Sequence, residues 1–333
     1  MVRIPTSPPN ISPRLNSNST PLWSVMIPVY NCSKYLPDAL QSVLINNIPE
    51  EEMQIEVIDD ASTDADVKAI VEQIGKGRIK YFRQTENVGS LRNFEMCINR
   101  SCGNLVHILH GDDRVKKGYY EKIANLFQKY PDAGAAFCRF GYIDGKGKWL
   151  YNQPIEMKYE GILPEWIMRI GERSRIQYVA ITVRRDVYEK LGSFYGLTYG
   201  EDWEMWARIA SNYQTVYSPE ILAEYRKHLD SITGKKFLTG EYLIDLVHAM
   251  KLIQVHLPLE QKNSILKKAK KYYAYYGMRK ANDLWHISRD ESNVKASISQ
   301  ALKLHQDLFM YWEIFKLNTK MILRKLIMRN LIK

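Results

Sequence analysis

The chain has 333 residues, 45% hydrophobic and 25% charged, values that exclude wholesale disorder and suit one large domain with an appendage or two modest domains. Its net charge of +10 is uneven: residues 241–333 hold 17 Lys and Arg against 8 Asp and Glu, and the remainder is nearly balanced. Cys32, Cys97, Cys102 and Cys138 show neither CxxC spacing nor a nearby His cluster, which argues against a zinc site or disulfide scaffold and makes a reducing cytosol the expected compartment. No apolar run approaches the ~20 residues of a membrane span, and no charged-then-apolar leader opens the chain, so a soluble or at most peripheral protein is expected.

Residues 1–21 carry five of the thirteen prolines together with Ser, Asn and Thr. Such a composition buries no core of its own, and a disordered lead-in is expected. Short apolar runs then alternate with helical stretches: strands at 23–29, 54–58, 79–83, 105–109 and 133–140, helices at 35–45, 66–74, 90–99 and 118–130, the last closed by Pro131. This alternation predicts an α/β fold, a parallel sheet covered by helices on both faces. After Gly141 the regularity fades, leaving a strand at 178–184 and helices at 186–191 and 201–212. Gly234, Lys235, Lys236 and Gly240 interrupt the pattern and place a boundary between a domain over 22–236 and a basic helical region over 237–333, with its clearest helices at 267–282, 294–304 and 310–331.

Acidic residues stand where strands end. Residues 55–58 run into Asp59-Asp60-Ala61-Ser62-Thr63-Asp64, and residues 104–110 run into Gly111-Asp112-Asp113. Ligands of open α/β sheets sit beyond the carboxyl ends of the strands, so two acidic pairs point to a divalent metal and a diphosphate for that metal to neutralise. Adjacent acids after a buried strand repel unless a cation lies between them, and Mg²⁺ or Mn²⁺ prefers such oxygen ligands; a solvated turn before Lys116-Lys117 is the plainer alternative. Pro28-Val29-Tyr30-Asn31 offers a tyrosine that can lie against a base, or simply a strand-ending turn. Asp60 is an acceptor suited to the imide N–H of uracil or thymine, although Ser62 or Asp64 could equally cap a helix. After Asn87-Val88-Gly89, Arg92 could fork onto a phosphate or be an ordinary surface residue. Glu201 and Asp202 open a helix, where acids are favoured by the dipole in any protein.

In this order the motifs resemble those of the family 2 glycosyltransferases, inverting enzymes of the nucleotide-binding GT-A fold. The matching residues are Pro28-Val29-Tyr30-Asn31, Asp59 to Asp64, Glu86-Asn87-Val88-Gly89, Gly111-Asp112-Asp113, Gly200-Glu201-Asp202-Trp203 and Tyr225-Arg226-Lys227-His228 with Ser231 and Thr233, over about 22–233. The resemblance implies donor-nucleotide contacts at Pro28, Tyr30, Asn31, Asp60, Asn87, Arg92 and Asp112, with Tyr30 on the base, Asp60 on its imide and Asp112 on the ribose or sugar. It implies metal ligation by Asp113, with His228 approaching the metal or diphosphate, and a catalytic base at Asp202 beside Glu201. His110 stands where the family often has a further aspartate. No Gln-x-x-Arg-Trp run follows Asp202, and with no membrane span this favours single addition over processive synthesis.

The expected function is metal-dependent transfer of one sugar from a nucleotide-diphosphate sugar, UDP or dTDP favoured, to an acceptor hydroxyl in bacterial glycan synthesis. The acceptor is a glycan, a lipid-linked species or a small molecule. A binding module that has lost turnover and a nucleotidyltransferase are the alternatives, the second disfavoured because residues 28–33 lack a Gly-rich triphosphate loop. The basic tail is expected either to pack as helical hairpins, with a homo-oligomer as one outcome, or to rest on an anionic membrane at the inner face. Nucleic-acid binding is not expected, since no recognition motif is present.

Overall fold

The computed structural model describes residues 2–14, 20–228, 230, 231, 234, 236 and 241–331. Thr233, Lys235 and Gly240, used above for the closing motif and the boundary, lie outside the described residues. The chain divides into two compact units, one built from residues before 168 and from 175–228, the other from 168–174 and the chain after 228. The division falls after His228, within the closing motif and a few residues ahead of the glycine-punctuated stretch.

The first unit is an α/β domain around one ten-stranded sheet. Its elements are β1 (Trp23–Val29), α1 (Leu36–Leu44), β2 (Met53–Asp59), α2 (Val67–Gly75), β3 (Lys80–Arg83), α3 (Ser90–Arg100), β4 (Leu105–Ile108), β5 (Arg114–Val115), α4 (Tyr119–Lys129), β6 (Ala133–Asp144), β7 (Trp149–Asn152), β8 (Gly161–Ile162), the start of α5 (Trp166–Glu172), whose residues from 168 belong to the second unit, β9 (Ile181–Arg184), α6 (Arg185–Leu191), α7 (Glu201–Asn212) and β10 (Gln214–Lys227). The sheet order is β3-β2-β1-β4-β9-β6-β10-β5, with β7 on β6 and β8 on β10. Strands β3, β2, β1 and β4 are parallel. The all-parallel expectation fails beyond them, because β9 enters antiparallel between β4 and β6. β1 and β2 are buried almost throughout and read as continuous apolar runs, as strands covered on both faces must.

The sheet sets up the site through β1. Its Val29 carbonyl accepts the Asp60 N–H at 2.8 Å on one side, and its Pro28 carbonyl accepts the Gly111 N–H at 3.3 Å on the other. Pro28 ends pairing with β4 only. The last pair there is Met26 with Ile108, whereas pairing with β2 continues to Val29 and Asp59. A residue's N–H and C=O point to the same side of a strand, so the missing donor of Pro28 falls where the β4 ladder has already stopped. Gly111 is required by contact: a Cβ there would lie 2.9 Å from Cys32 Sγ and 3.0 Å from Val29 Cγ2.

β10 went unpredicted. Pro219 and Glu220 break its alternation, and the register with β6 shifts between Ser218 and Ile221, a bulge of the kind that accommodates a strand proline. Residues 2–14 also differ from expectation. They run along the domain with Ile11 only 3% exposed. The Pro5 and Pro9 carbonyls accept N–H bonds from Gly196 and Ser193, at 2.8 and 2.9 Å. The segment has too few apolar residues for a core of its own, but it borrows one, and prolines that cannot donate still accept.

The second unit contains α8 (Tyr242–Ile253), α9 (Lys262–Ser288), α10 (Glu291–Leu304) and α11 (Leu308–Leu331). Close helix pairing rests on small residues: a Cβ at Gly277 would meet Ala301 Cβ at 3.2 Å and Leu243 Cδ1 at 2.9 Å. Among the described residues no helix is long and apolar enough to cross a membrane.

Ile11→Ala should loosen the N-terminal strap and speed amide exchange at Ser193 and Gly196. Unchanged protection at both amides would show that Ile11 does not anchor it.

Candidate active site

Three strand ends converge beside β1, and each brings one group of the motif residues. Tyr30 follows β1 directly and is 50% exposed, its ring free to be covered. Asn31, at φ 49°, donates its N–H to Ser62 Oγ at 3.1 Å and accepts the Thr63 N–H on Oδ1 at 2.8 Å. It ties the β1 and β2 ends together.

The two aspartates ending β2 have different tasks. Asp59 is fully buried and accepts from Tyr81 Oη at 2.8 Å, from the Ser62 N–H at 2.9 Å and from Arg83. Its role is structural. Asp60 is turned toward the loop before α3, where its carboxylate accepts the N–H of Val88 at 2.7 Å, the N–H of Gly89 at 2.9 Å and Asn87 Nδ2 at 2.9 Å. Burial raises its pKa, opposed by those N–H groups and by the Arg3 charge. A carboxylate has about four lone-pair sites, so these three donors, counted among the described residues, leave one acceptor direction. Arg92 donates from Nη1 to Glu95 at 2.6 Å and from Nε to the Val2 carbonyl at 2.9 Å.

Beyond β4, His110, Asp112 and Asp113 bring ligand atoms within 4.8 Å of one another. Asp113 is 1% exposed and its carboxylate accepts the Arg226 N–H at 2.8 Å. Burial, then the neighbouring Asp112 charge, pushes its pKa well above the carboxylate range. Burial acts the same way on Asp112, but the His228 hydrogen bond and the two nearby imidazoles outweigh it and hold this carboxyl low. His228 Nε2 lies 2.9 Å from Asp112 Oδ2, so the structure brings His228 to Asp112 rather than to Asp113. His110 is packed against Phe94 and Tyr178, ring centroids 5.2 and 4.4 Å away, and among the described residues its buried Nε2 has no hydrogen-bond partner. An orphaned imidazole nitrogen beside two carboxylates, one of them driven toward protonation, is a donor set that fits a divalent cation.

Arg226 organises this turn. Its side chain is 1% exposed, donating from Nε to the Asp112 carbonyl at 2.7 Å and from Nη2 to Asp38 at 2.8 Å, with its guanidinium 5.0 Å from the Tyr35 ring centroid. Glu201 and Asp202 lie at the first turn of α7, after Gly200 at φ 88°. Trp203 and Trp206 are buried on the same helix. The Tyr178 hydroxyl donates to Glu201 at 3.2 Å while its ring packs on His110, so one tyrosine joins the acidic helix start to the Asp112–Asp113 turn. Asp202 accepts the Trp203 N–H at 2.7 Å. Burial raises its pKa to about 7, against the opposing backbone hydrogen bonds.

Sequence reasoning passed over Tyr178 and the bracing role of Arg226, and took His110 only as a departure. Tyr178 carried no signal. Arg226 lies inside the closing motif, two residues before His228, and that position was the available clue.

The model of "Glycosyl transferase family 2" matches residues 24–192, about half of the chain. The chain belongs to glycosyltransferase family 2. TuaG of Bacillus subtilis, a glycosyltransferase provisionally assigned to teichuronic acid biosynthesis, is 31% identical over 232 residues, covering 66% of this chain and 85% of TuaG. An uncharacterized glycosyltransferase of Mycoplasma genitalium is 31% identical over 119 residues, which span only 40% of that protein's length and 35% of this chain. Among solved structures, TarS residues 1–349 of S. aureus in complex with UDP-GlcNAc superposes with TM-score 0.61 at 16% identity, covering 84% of this chain and 79% of that one. A mannosyltransferase from Pyrobaculum calidifontis in complex with GDP-Man and Mn²⁺ gives 0.53 at 14% identity, covering 89% and 90%. At these identities the structural likeness establishes the GT-A fold.

Arg226→Met should lower the free energy of unfolding of this family 2 domain by roughly 2–3 kcal/mol, since it strips buried charge-assisted hydrogen bonds from the Asp112 turn. Urea denaturation reads this directly, and an unchanged midpoint would show that the arginine braces nothing.

Proposed function

We propose that this glycosyltransferase moves a single sugar, with inversion, from a nucleotide-diphosphate sugar to an acceptor hydroxyl in bacterial surface-glycan synthesis. The observation that carries the reading is the cluster of His110, Asp112 and Asp113 at the β4 end, joined through Tyr178 to the acids that open α7. UDP or dTDP is the favoured nucleotide, because Asp60 keeps one acceptor direction for an imide N–H. Tyr30 covers the base. The partial likeness to TuaG supports a polysaccharide or teichuronic-type acceptor.

Asp113, Asp112 and His110 would hold the divalent metal, Mn²⁺ or Mg²⁺, with His228 orienting Asp112. When bound, such a metal supplies Lewis-acid stabilisation of charge on the departing diphosphate. Asp202 takes the proton of the attacking hydroxyl as that oxygen approaches the anomeric carbon opposite the leaving group. Glu201, fixed by Tyr178, holds the start of α7 against the site. General-base help of this kind contributes typically ~10²–10⁴-fold, and Asp202→Asn should lose that much in kcat. A carboxyl with a pKa of about 7 is half protonated at neutral pH. The base form is gained as pH rises, so kcat/KM should climb through about 7 and level off above it. A profile flat from pH 5.5 to 8.5 would remove Asp202 from the role. Asp113→Ala should abolish metal-dependent thermal stabilisation by UDP-sugars, and wild-type protein unmoved by any nucleotide with Mn²⁺ would overturn the reading.

The second unit has an observation favouring a cytoplasmic enzyme working at the anionic inner face of a membrane. Leu308, Trp312, Phe315, Ile322 and Leu326 are exposed along α11. Helical spacing puts them on one face, opposite the buried Met310, Leu317 and Met321. Of the basic residues Lys316 borders that exposed stripe, while Lys320 and Arg324 turn progressively away from it, so the apolar face itself is what suits a bilayer interface. The Trp312→Ser/Phe315→Ser variant should lose flotation with vesicles containing phosphatidylglycerol. Equal flotation of wild type and variant, or none by either, would dismiss the membrane role.

A further inference from the structure

The family match begins at residue 24, yet the base-side residues of the site are met by residues 2 and 3. The N-terminal strap is held along its length by the buried Ile11, by the Pro5 and Pro9 carbonyls, and by Arg14, whose Nη1 donates to the Cys102 carbonyl at 2.9 Å and to Asn104 at 3.0 Å. Its first residues are thereby delivered to the loop before α3. There the Val2 carbonyl accepts from Arg92 at 2.9 Å, and Arg3 Nη2 donates to Asn87 Oδ1. The amide nitrogen of the same Asn87 donates to Asp60. Gly89, at φ 90°, leaves room for this approach, since a Cβ there would lie 3.2 Å from Arg3 Nε.

Arg3, Asn87 and Asp60 thus form a line in which a guanidinium with spare donors stands next but one to a carboxylate with one acceptor direction left. Arginine has five N–H donors, and one goes to Asn87. A donor and an acceptor bridged by one amide can read an edge where a ring N–H adjoins a carbonyl. Uracil and thymine present that edge at N3–H and O4, guanine at N1–H and O6. Cytosine and adenine present an amino group beside an unprotonated ring nitrogen, which reverses the pattern.

We propose that Arg3 is a base-reading residue of the donor site, donating to the carbonyl oxygen of an oxo-base and making the strap a working wall of the nucleotide pocket. The inference rests on the donor reading above and adds to it a determinant outside the family's matched region. The full chain and its Arg3→Ala and Arg3→Lys variants should be titrated calorimetrically with UDP, GDP, CDP and ADP in Mn²⁺, after thermal melts establish that the variants fold. Wild type should prefer an oxo-base nucleotide. Arg3→Ala should weaken that nucleotide about tenfold and flatten the preference among the four, with Arg3→Lys intermediate because it keeps a donor but loses the fork. Undiminished binding by Arg3→Ala would make the strap a scaffold only, and tighter binding would make it a competitor for the site. Equal weakening of all four nucleotides would place Arg3 on the phosphates or ribose. Each of these three results overturns the proposal while sparing the donor reading. A wild-type chain that binds none of the four overturns both.

Discussion

The first unit is arranged around two neighbouring carboxylates that should not be comfortable together. Asp112 and Asp113 leave β4 side by side, one half-buried and one nearly sealed from water, where like charges interact far more strongly than at a surface. The fold does not relieve this by exposing them. It splits the pair, holding Asp112 ionised through His228 and driving Asp113 toward its neutral form.

Much of the surrounding structure serves to hold that turn in place. Arg226 reaches from β10 to the Asp112 carbonyl and to Asp38, lying over Tyr35, so elements distant in sequence share one buried cation. Tyr178 does the same on the other side with a ring and a hydroxyl. The acids of α7 are rigid for a similar reason, because two buried tryptophans fix the helix that bears them.

The β-α alternation was legible, since β1 and β2 are apolar without interruption and α3 and α7 show helical spacing of their buried residues. The placement of the motif residues at strand ends was legible too, since the apolar runs stop where the acids begin. Three things were not. β10 was hidden by Pro219, whose bulge is a tertiary solution invisible to periodicity. The strap was hidden by its composition, which describes what a segment can bury alone and not what it can borrow. Asp60 was singled out by the resemblance, but the inward, structural place of Asp59 could not be read from sequence, because it depends on Tyr81 and Arg83 arriving from β3.

The bulge in β10 has a consequence for how this chain can vary. Side chains alternate along a strand, so a one-residue change in length turns every later residue to the opposite face. Arg226 and His228 lie downstream of the irregularity at 218–221, and both reach the same turn. Deleting Glu220 would present Lys227 where Arg226 now sits and carry the imidazole away from Asp112. The length of this short stretch is therefore a fixed ruler for the site.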